Sequence, residues 1–310
     1  NGQSCVGLGE GFDGGALRCG AECDFDRTLC TVCGNGLCEQ EETVADCPDD
    51  CGAVHVAAGS LHTCIVLVDG TVRCWGLGDD GQLGNRGSEG WPLPLVVEGI
   101  TDAVTVSAGD VSSCALLAGG TVRCWGDNTD GVLGDGISEH LDCGGYDCSP
   151  VPVPVAEIDD AVALEVGGWH ACALRADGSM WCWGDNEDGQ LGDGTAQTRT
   201  VPVAVGGLGT VQAIATGAAH TCGLLDDGTL RCWGWNGEGA VGDGTVTSTS
   251  SPVEVPGLVD VAQIDMGAWH SCAALQDSTA RCWGYNQYGE VGNGGMGNVL
   301  EATVVSGLSG

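Results

Sequence analysis

The stretch His62-Thr63-Cys64-Ile65-Val66-Leu67-Val68-Asp69-Gly70-Thr71-Val72-Arg73-Cys74-Trp75-Gly76 decides the fold, because it returns four more times. Ser112 to Gly126, His170 to Gly184, His220 to Gly234 and His270 to Gly284 repeat it, with steps of 50, 58, 50 and 50 residues. Each copy reads as two short runs folded back on each other at a tight turn, Asp-Gly in the first, third and fourth. In the fourth unit Val211-Gln212-Ala213-Ile214-Ala215 supplies a strand before the hairpin. Pro252-Val253-Glu254-Val255 supplies one after it, more exposed, since proline is tolerated at a sheet edge or strand start. A period near fifty built of four such strands predicts an all-β propeller of four-stranded blades, with five repeats visible.

The pattern resembles the regulator of chromosome condensation (RCC1) repeat. The residues that carry the resemblance are Ala58-Gly59 with His62-Thr63, Asp69-Gly70 with Trp75-Gly76, and Gly81-Gln82-Leu83-Gly84, each recurring in later units over residues 53 to 309. The resemblance implies a β-propeller, a fold that hosts unrelated functions. Rings of that type usually hold seven blades. Here Thr303-Val304-Val305 ends where a next unit would begin, which predicts pairing with Val54-His55-Val56 and closure of five blades on themselves. An incomplete chain and an open array remain alternatives.

Each unit departs from the family by a cysteine pair. If the turn is a three-residue loop with glycine in the left-handed position, Cys64 faces Cys74. The same register pairs Cys114 with Cys124, Cys172 with Cys182, Cys222 with Cys232 and Cys272 with Cys282. Opposed residues at a non-hydrogen-bonded site lie about 4.5 Å apart at Cα, within disulfide range. Five staples of about 2–3 kcal/mol each are expected on the chain-entropy account. Zinc would need four clustered ligands, which one pair per blade does not give.

Residues 1–51 form a separate region ahead of the propeller at 52–310. It carries Cys5, Cys19, Cys23, Cys30, Cys33, Cys38, Cys47 and Cys51, and so short a segment needs disulfides for want of a core. Gly11-Phe12-Asp13-Gly14-Gly15-Ala16-Leu17-Arg18-Cys19 and Cys33-Gly34-Asn35-Gly36-Leu37-Cys38-Glu39 resemble cysteine-rich modules common in secreted proteins of myxobacteria and related soil bacteria. Glu39, Glu41, Glu42, Asp46, Asp49 and Asp50 could hold Ca²⁺, but their spacing fits no EF-hand loop and a solvated acidic surface is the favoured reading.

Twenty paired cysteines point to an oxidising compartment, so the chain is expected to be extracellular or at a cell surface. No apolar run approaches the ~20 residues of a membrane span, and no secretory leader is present, which suggests a mature or partial chain. The formal net charge is −34 and every basic residue is arginine, so nucleic acid and anionic membranes are poor partners. Acidity is read as serving solubility, with a cationic partner or Ca²⁺ as the sharper alternative.

No catalytic constellation is evident: there is no Gly-x-Ser-x-Gly elbow, phosphate loop or lysine, and no cysteine is left over as a nucleophile. His62, His170, His220 and His270 recur at one repeat position, with Ser112 in the second unit, and are expected to hydrogen-bond a loop backbone. Asp127-Asn128-Thr129-Asp130-Gly131 and Asp185-Asn186-Glu187-Asp188-Gly189 look like calcium loops but coincide with the repeat's own turn. What breaks the repeat is more informative. Ile137 to Cys148 inserts eight extra residues, with Cys143 and Cys148 expected to staple the loop and Leu141 and Tyr146 offered for contact. Trp91, Trp169, Trp181, Trp235, Trp269 and Tyr285 are nonrepeating aromatics, of which Trp91, Trp169, Trp235 and Trp269 are candidate partner anchors.

The reading is a non-catalytic extracellular module for protein interaction or surface assembly, self-association included, with no cofactor required. An inhibitor or toxin-associated binder of another protein, and a carbohydrate-active hydrolase or lyase, are the alternatives. An apolar patch with tryptophan would favour the first, a deep pocket with paired carboxylates the last.

Overall fold

The computed structural model describes residues 52–308 apart from Ser138 and Gly144, together with a two-stranded pairing of Ala16–Arg18 with Thr31–Cys33. The cysteine pairing and the carboxylates singled out in residues 1–51 lie outside the described residues.

Five antiparallel sheets follow one another in chain order. Blade one is Ala53–Ala58, His62–Leu67, Val72–Gly76 and Trp91–Val96. Blade two is Ala103–Ala108, Ser112–Leu117, Val122–Asp127 and Asp147–Pro154, with the short strand Leu141–Asp142 added at its edge. Blade three runs Ala161–Val166, His170–Arg175, Met180–Gly184 and Arg199–Ala204. Blade four runs Val211–Thr216, His220–Leu225, Leu230–Gly234 and Thr249–Glu254. Blade five runs Val261–Met266, His270–Leu275, Ala280–Gly284 and Val299–Val304.

The hairpin geometry follows from the turn. The Leu67 N–H donates to the Thr71 carbonyl and the Gly70 N–H to the Leu67 carbonyl, with Gly70 at φ 76°. That turn sets Cys64 opposite Cys74 at a Cα separation of 4.1 Å, joined as a disulfide. The other four hairpins repeat the bond between the same positions. In blade five Ser278 stands where the others have glycine and is held at φ 69°.

The expected pairing of Thr303–Val305 with the first unit does not form. Thr303 and Val304 pair instead with Cys282 and Arg281 as the outer strand of their own blade, and Ala53–Ala58 pairs with His62–Leu67.

Four apolar cores lie between blades rather than within them. Each joins the cysteine pair of one blade to the tryptophan of the next, as Cys64 and Cys74 with Trp125, or Cys222 and Cys232 with Trp283. Every one of these cores also contains a polar joint. The Gln82 carbonyl of blade one accepts from Trp125 Nε1 at 2.9 Å and from the Ser113 hydroxyl at 3.1 Å, both of blade two. His62 Nε2 stands 2.7 Å from that same hydroxyl. Gln190 with Trp233, Thr221 and His170 repeats the arrangement between blades three and four. Ala240 with Trp283, Ser271 and His220 repeats it between four and five. Between blades two and three only the indole bond of this arrangement survives, from Trp183 to Val132, because Ser112 replaces the histidine and Ala171 the hydroxyl, and there the Ser107 hydroxyl accepts from Val166 N–H at 2.9 Å.

His62, His170 and His220 therefore bond a hydroxyl of the next blade, not a loop backbone as expected. Since the hydroxyl donates its proton to the carbonyl, Nε2 must carry the imidazole proton. Nδ1 of His62, His170 and His220 is buried without a partner, so a second proton there would be unsolvated. Burial accordingly lowers the pKa of His62 and His170 to about 4 and of His220 to about 3. The same rings explain the preceding glycines: a Cβ on Gly217 would lie 2.2 Å from His220 Cε1 and 2.8 Å from the Gly267 carbonyl of the next blade.

A histidine titrating near 6.5 when unfolded and near 4 when folded contributes stability above pH 6.5 that is lost as pH falls toward 4. Glu165, pushed up to about 7 by burial and by the charge of Asp265, acts in the opposite sense, but it is one group against three. The melting temperature followed by circular dichroism is expected to fall by roughly 5–10 °C between pH 7 and pH 5. His170→Gln should make that fall smaller, and a flat profile would show that the imidazoles are not held neutral by burial.

Candidate functional site

In every blade the residue before the histidine position and the residue after Trp-Gly share a backbone hydrogen bond. Leu61 bonds Leu77, Val111 Asp127, Trp169 Asp185, Ala219 Trp235 and Trp269 Tyr285. These pairs surround the end of the propeller at which Gly59, Gly109, Gly167, Gly217 and Gly267 meet around a cavity of ≈ 240 Å³. One face thus collects the loops of all five blades.

Two blades carry aromatic rings on this face at the position after Trp-Gly. In blades two and three Asp127 and Asp185 accept from the N–H two residues on, at 2.9 and 3.0 Å, and so cap their loops. Blades one, four and five do without the cap, with Leu77, Trp235 and Tyr285 at that position, and only the last two of these are aromatic. Three residues further on, Asp80, Asp130 and Asp188 give way to Glu238 and Tyr288. The buried asparagines Asn236 and Asn286 still tie these loops by accepting from Val241 N–H and Val291 N–H, which frees the neighbouring positions for aromatic rings.

The outcome is two aromatic pairs on this face. Trp235 and Trp269 meet edge to face with centroids 4.6 Å apart, and Tyr285 and Tyr288 lie 6.3 Å apart. Tyr288 is 82% exposed. The Tyr285 hydroxyl is raised above its ordinary pKa by desolvation and then by the charges of Tyr288, Glu290 and Glu238, so both carboxylates stand close to the rings. Aromatic faces rimmed by carboxylates suit a cationic side chain.

Of the four tryptophans singled out as anchors, the structure brings Trp235 and Trp269 together. Trp169 is exposed on the same face in blade three, and Trp91 is exposed at the start of the outer strand of blade one. Trp181 lies half-buried with Arg175 5.3 Å over its ring. Sequence reasoning passed over Tyr288, although the replacement of an acidic turn residue by an aromatic at the fifth repeat was visible.

The insertion of blade two opens onto the same face. Cys143 and Cys148 are joined, and His140 lies between Asp135 at 2.8 Å and Asp147 at 3.4 Å. Against the burial that raises it, the His140 N–H, the Asn128 amide and the imidazole hold the Asp147 carboxyl below its usual range. Leu141 and Tyr146 are left exposed on this braced loop. The central cavity is chemically plainer. Its lining is mainly glycine and alanine, with Asp110 its one carboxylate, hydrogen-bonded by Ser60. The supposed calcium loops spend their oxygens on their own turns: Asp127 binds Thr129, and Asp185 binds Glu187 and Gln190.

The sequence profile of the RCC1-like domain matches residues 6–310. The human E3 ubiquitin-protein ligase HERC2 is 29% identical over 146 residues, 46% of this chain and 3% of that protein. The probable human E3 ubiquitin-protein ligase HERC4 is 44% identical over 142 residues, 45% of this chain and 13% of that protein. The ultraviolet-B receptor UVR8 of Arabidopsis thaliana is 29% identical over 144 residues, 46% of this chain and 32% of that protein. The chain therefore spans about a third or less of these relatives. Among solved structures, human WBSCR16 superposes with a TM-score of 0.73 at 23% identity, covering 82% of this chain and 67% of that one. Yeast RCC1 (Prp20) bound to Kap60 gives 0.55 at 21%, covering 81% and 74%. At such identities the likeness is one of fold.

If the aromatics of blades four and five serve contact and not folding, returning one to the repeat's own residue should be tolerated. Trp235→Asp, which restores the residue that caps blade three, is expected to leave the melting temperature within a few degrees. Trp233→Ala in the adjacent core should cost about 3–5 kcal/mol. Thermal unfolding of the two variants decides it, and equal losses would make Trp235 a packing residue.

Proposed function

Because the chain belongs to the RCC1-like domain family, we propose that it is a protein-binding propeller without catalytic activity of its own, acting outside the cell. Its partner is a protein that presents basic side chains to the loop face of blades four and five. The observation that carries this reading is the placement of Trp235 and Tyr285 where blades two and three have loop-capping aspartates, and of Tyr288 where blades one to three have Asp80, Asp130 and Asp188. Propeller scaffolds commonly keep their loops for the fold's sake, so residues that forgo a local hydrogen bond to display a ring are best explained by contact.

Charge supports the choice of partner. With a net charge of −34 and Glu238 and Glu290 beside the rings, the surface attracts cations and repels acidic proteins. Arg175 over Trp181 shows within this chain the geometry that a partner's arginine would take on Trp235 or Trp269. The braced insertion with Leu141 and Tyr146 supplies a second, smaller contact on the same face. The yeast RCC1 propeller, which shares the fold, is found with Kap60 as a protein partner. Six disulfides among the described residues favour an oxidising, extracellular setting.

The test is fluorescence titration of the purified chain with immobilisable peptide libraries, one rich in arginine and tyrosine, the other acidic. Basic members should bind, and Trp269→Ala should weaken the best of them by about tenfold or more, the loss of one hot-spot side chain. Equal binding of acidic and basic peptides, or binding indifferent to Trp269, would overturn the reading.

A further inference from the structure

Each of the four joints buries the upstream face of one blade, and blade one has no such cover. Its inner-strand residue Val56 is 64% exposed, whereas Val106, Leu164, Ile214 and Ile264 at the same position are 1%, 5%, 7% and 9% exposed. Ala53 is exposed where Ala103, Ala161, Val211 and Val261 are buried. Trp75 is half-buried where the other four repeat tryptophans are fully buried. Its indole N–H and the Thr63 hydroxyl occupy the positions that elsewhere clasp a carbonyl of the preceding blade, and among the described residues neither has a partner. Blade one thus keeps a complete half-joint, with Val56, Ile65 and Trp75 as its apolar part.

The opposite end of the array is built differently. On the downstream face of blade five Ala274 and Ala280 stand where the other blades have Val66 and Val72, Leu116 and Val122, Leu174 and Met180, or Leu224 and Leu230. Truncated side chains of this kind suit a terminal repeat. Closure of the ring, or a second copy joined head to tail, would set the apolar face of blade one against this reduced surface.

We propose that residues 1–51 cover the upstream face of blade one, in the position that a preceding blade takes at the other joints. The chain enters that face with no linker: the Gly52 carbonyl accepts from Val68 N–H at 2.9 Å, and the exposed strand starts at Ala53. The segment is 51 residues long against a repeat of 50, and the RCC1-like profile reaches back through it to residue 6. Its eight cysteines can hold a compact body without a large core of its own, and the apolar surface it lacks is offered by Val56, Ile65 and Trp75. The inference is independent of the partner face on blades four and five.

The experiment places p-benzoylphenylalanine at Val56 in the full chain, irradiates it, and maps the adducts by mass spectrometry after digestion. Adducts to peptides within residues 1–51, in the same yield at high and low protein concentration, are expected. Adducts to blade five of the same molecule, adducts that vanish on dilution, or none beyond blade one itself would each overturn the proposal. Hydroxyl-radical labelling of the unmodified chain guards against a folding defect in the variant. Trp75 should label several-fold more slowly than the exposed Trp91 and close to the buried Trp125, and labelling as fast as Trp91 would again overturn it.

Discussion

A single buried carbonyl oxygen at each joint governs much of this chain. It has two lone pairs, and at three of the four joints the next blade fills both, one with an indole N–H and one with a hydroxyl that is itself held by an imidazole, whereas Val132 takes only the indole. A buried indole that lost its acceptor would cost about 1–3 kcal/mol, so tryptophan, hydroxyl and histidine are fixed together by one backbone atom of another blade. The glycine before each histidine is fixed in turn by the ring that packs on it and by the approach of the next blade. Most of the residues that mark the repeat in the sequence are the parts of this joint.

The hairpins were legible because their geometry is local. Val68-Asp69-Gly70 sets a register within a few residues, and the cysteine pairs follow from counting. The joint was not legible, because it unites residues about one repeat apart whose facing depends on how blades stack. Ser112 and Ala171 each look like an isolated departure in sequence, yet they are the two sides of one altered contact. Ring closure was misjudged for a related reason: the phase of Thr303–Val305 shows where a strand lies in the repeat, not which neighbour takes up its edge. At the candidate site Trp235 and Trp269 stood out as departures, but their meeting across two blades and the addition of Tyr288 depended on the shared loop face.

That face illustrates how a repeat protein acquires a particular role without disturbing its scaffold. The apolar core between blades four and five, their joint and the asparagine that ties each loop persist, while positions 235, 285 and 288 on the loop face carry the added rings. The insertion on blade two follows the same logic with a different device, a loop braced by its own disulfide and a histidine between two carboxylates.

The joint between blades two and three has a consequence for how the molecule comes apart. In a linear array, stability is a sum of units and of the contacts between neighbours, so cooperativity is broken at the weakest contact. The joint between blades two and three keeps the Trp183 bond to Val132 but lacks the imidazole and its hydroxyl, with Ser112 Oγ buried without a partner, and Ser107 Oγ bridges the two blades instead by accepting from Val166 N–H at 2.9 Å. The order in which the blades separate under load or denaturant is thus set by how far the Ser107 bridge makes up for the missing imidazole and hydroxyl.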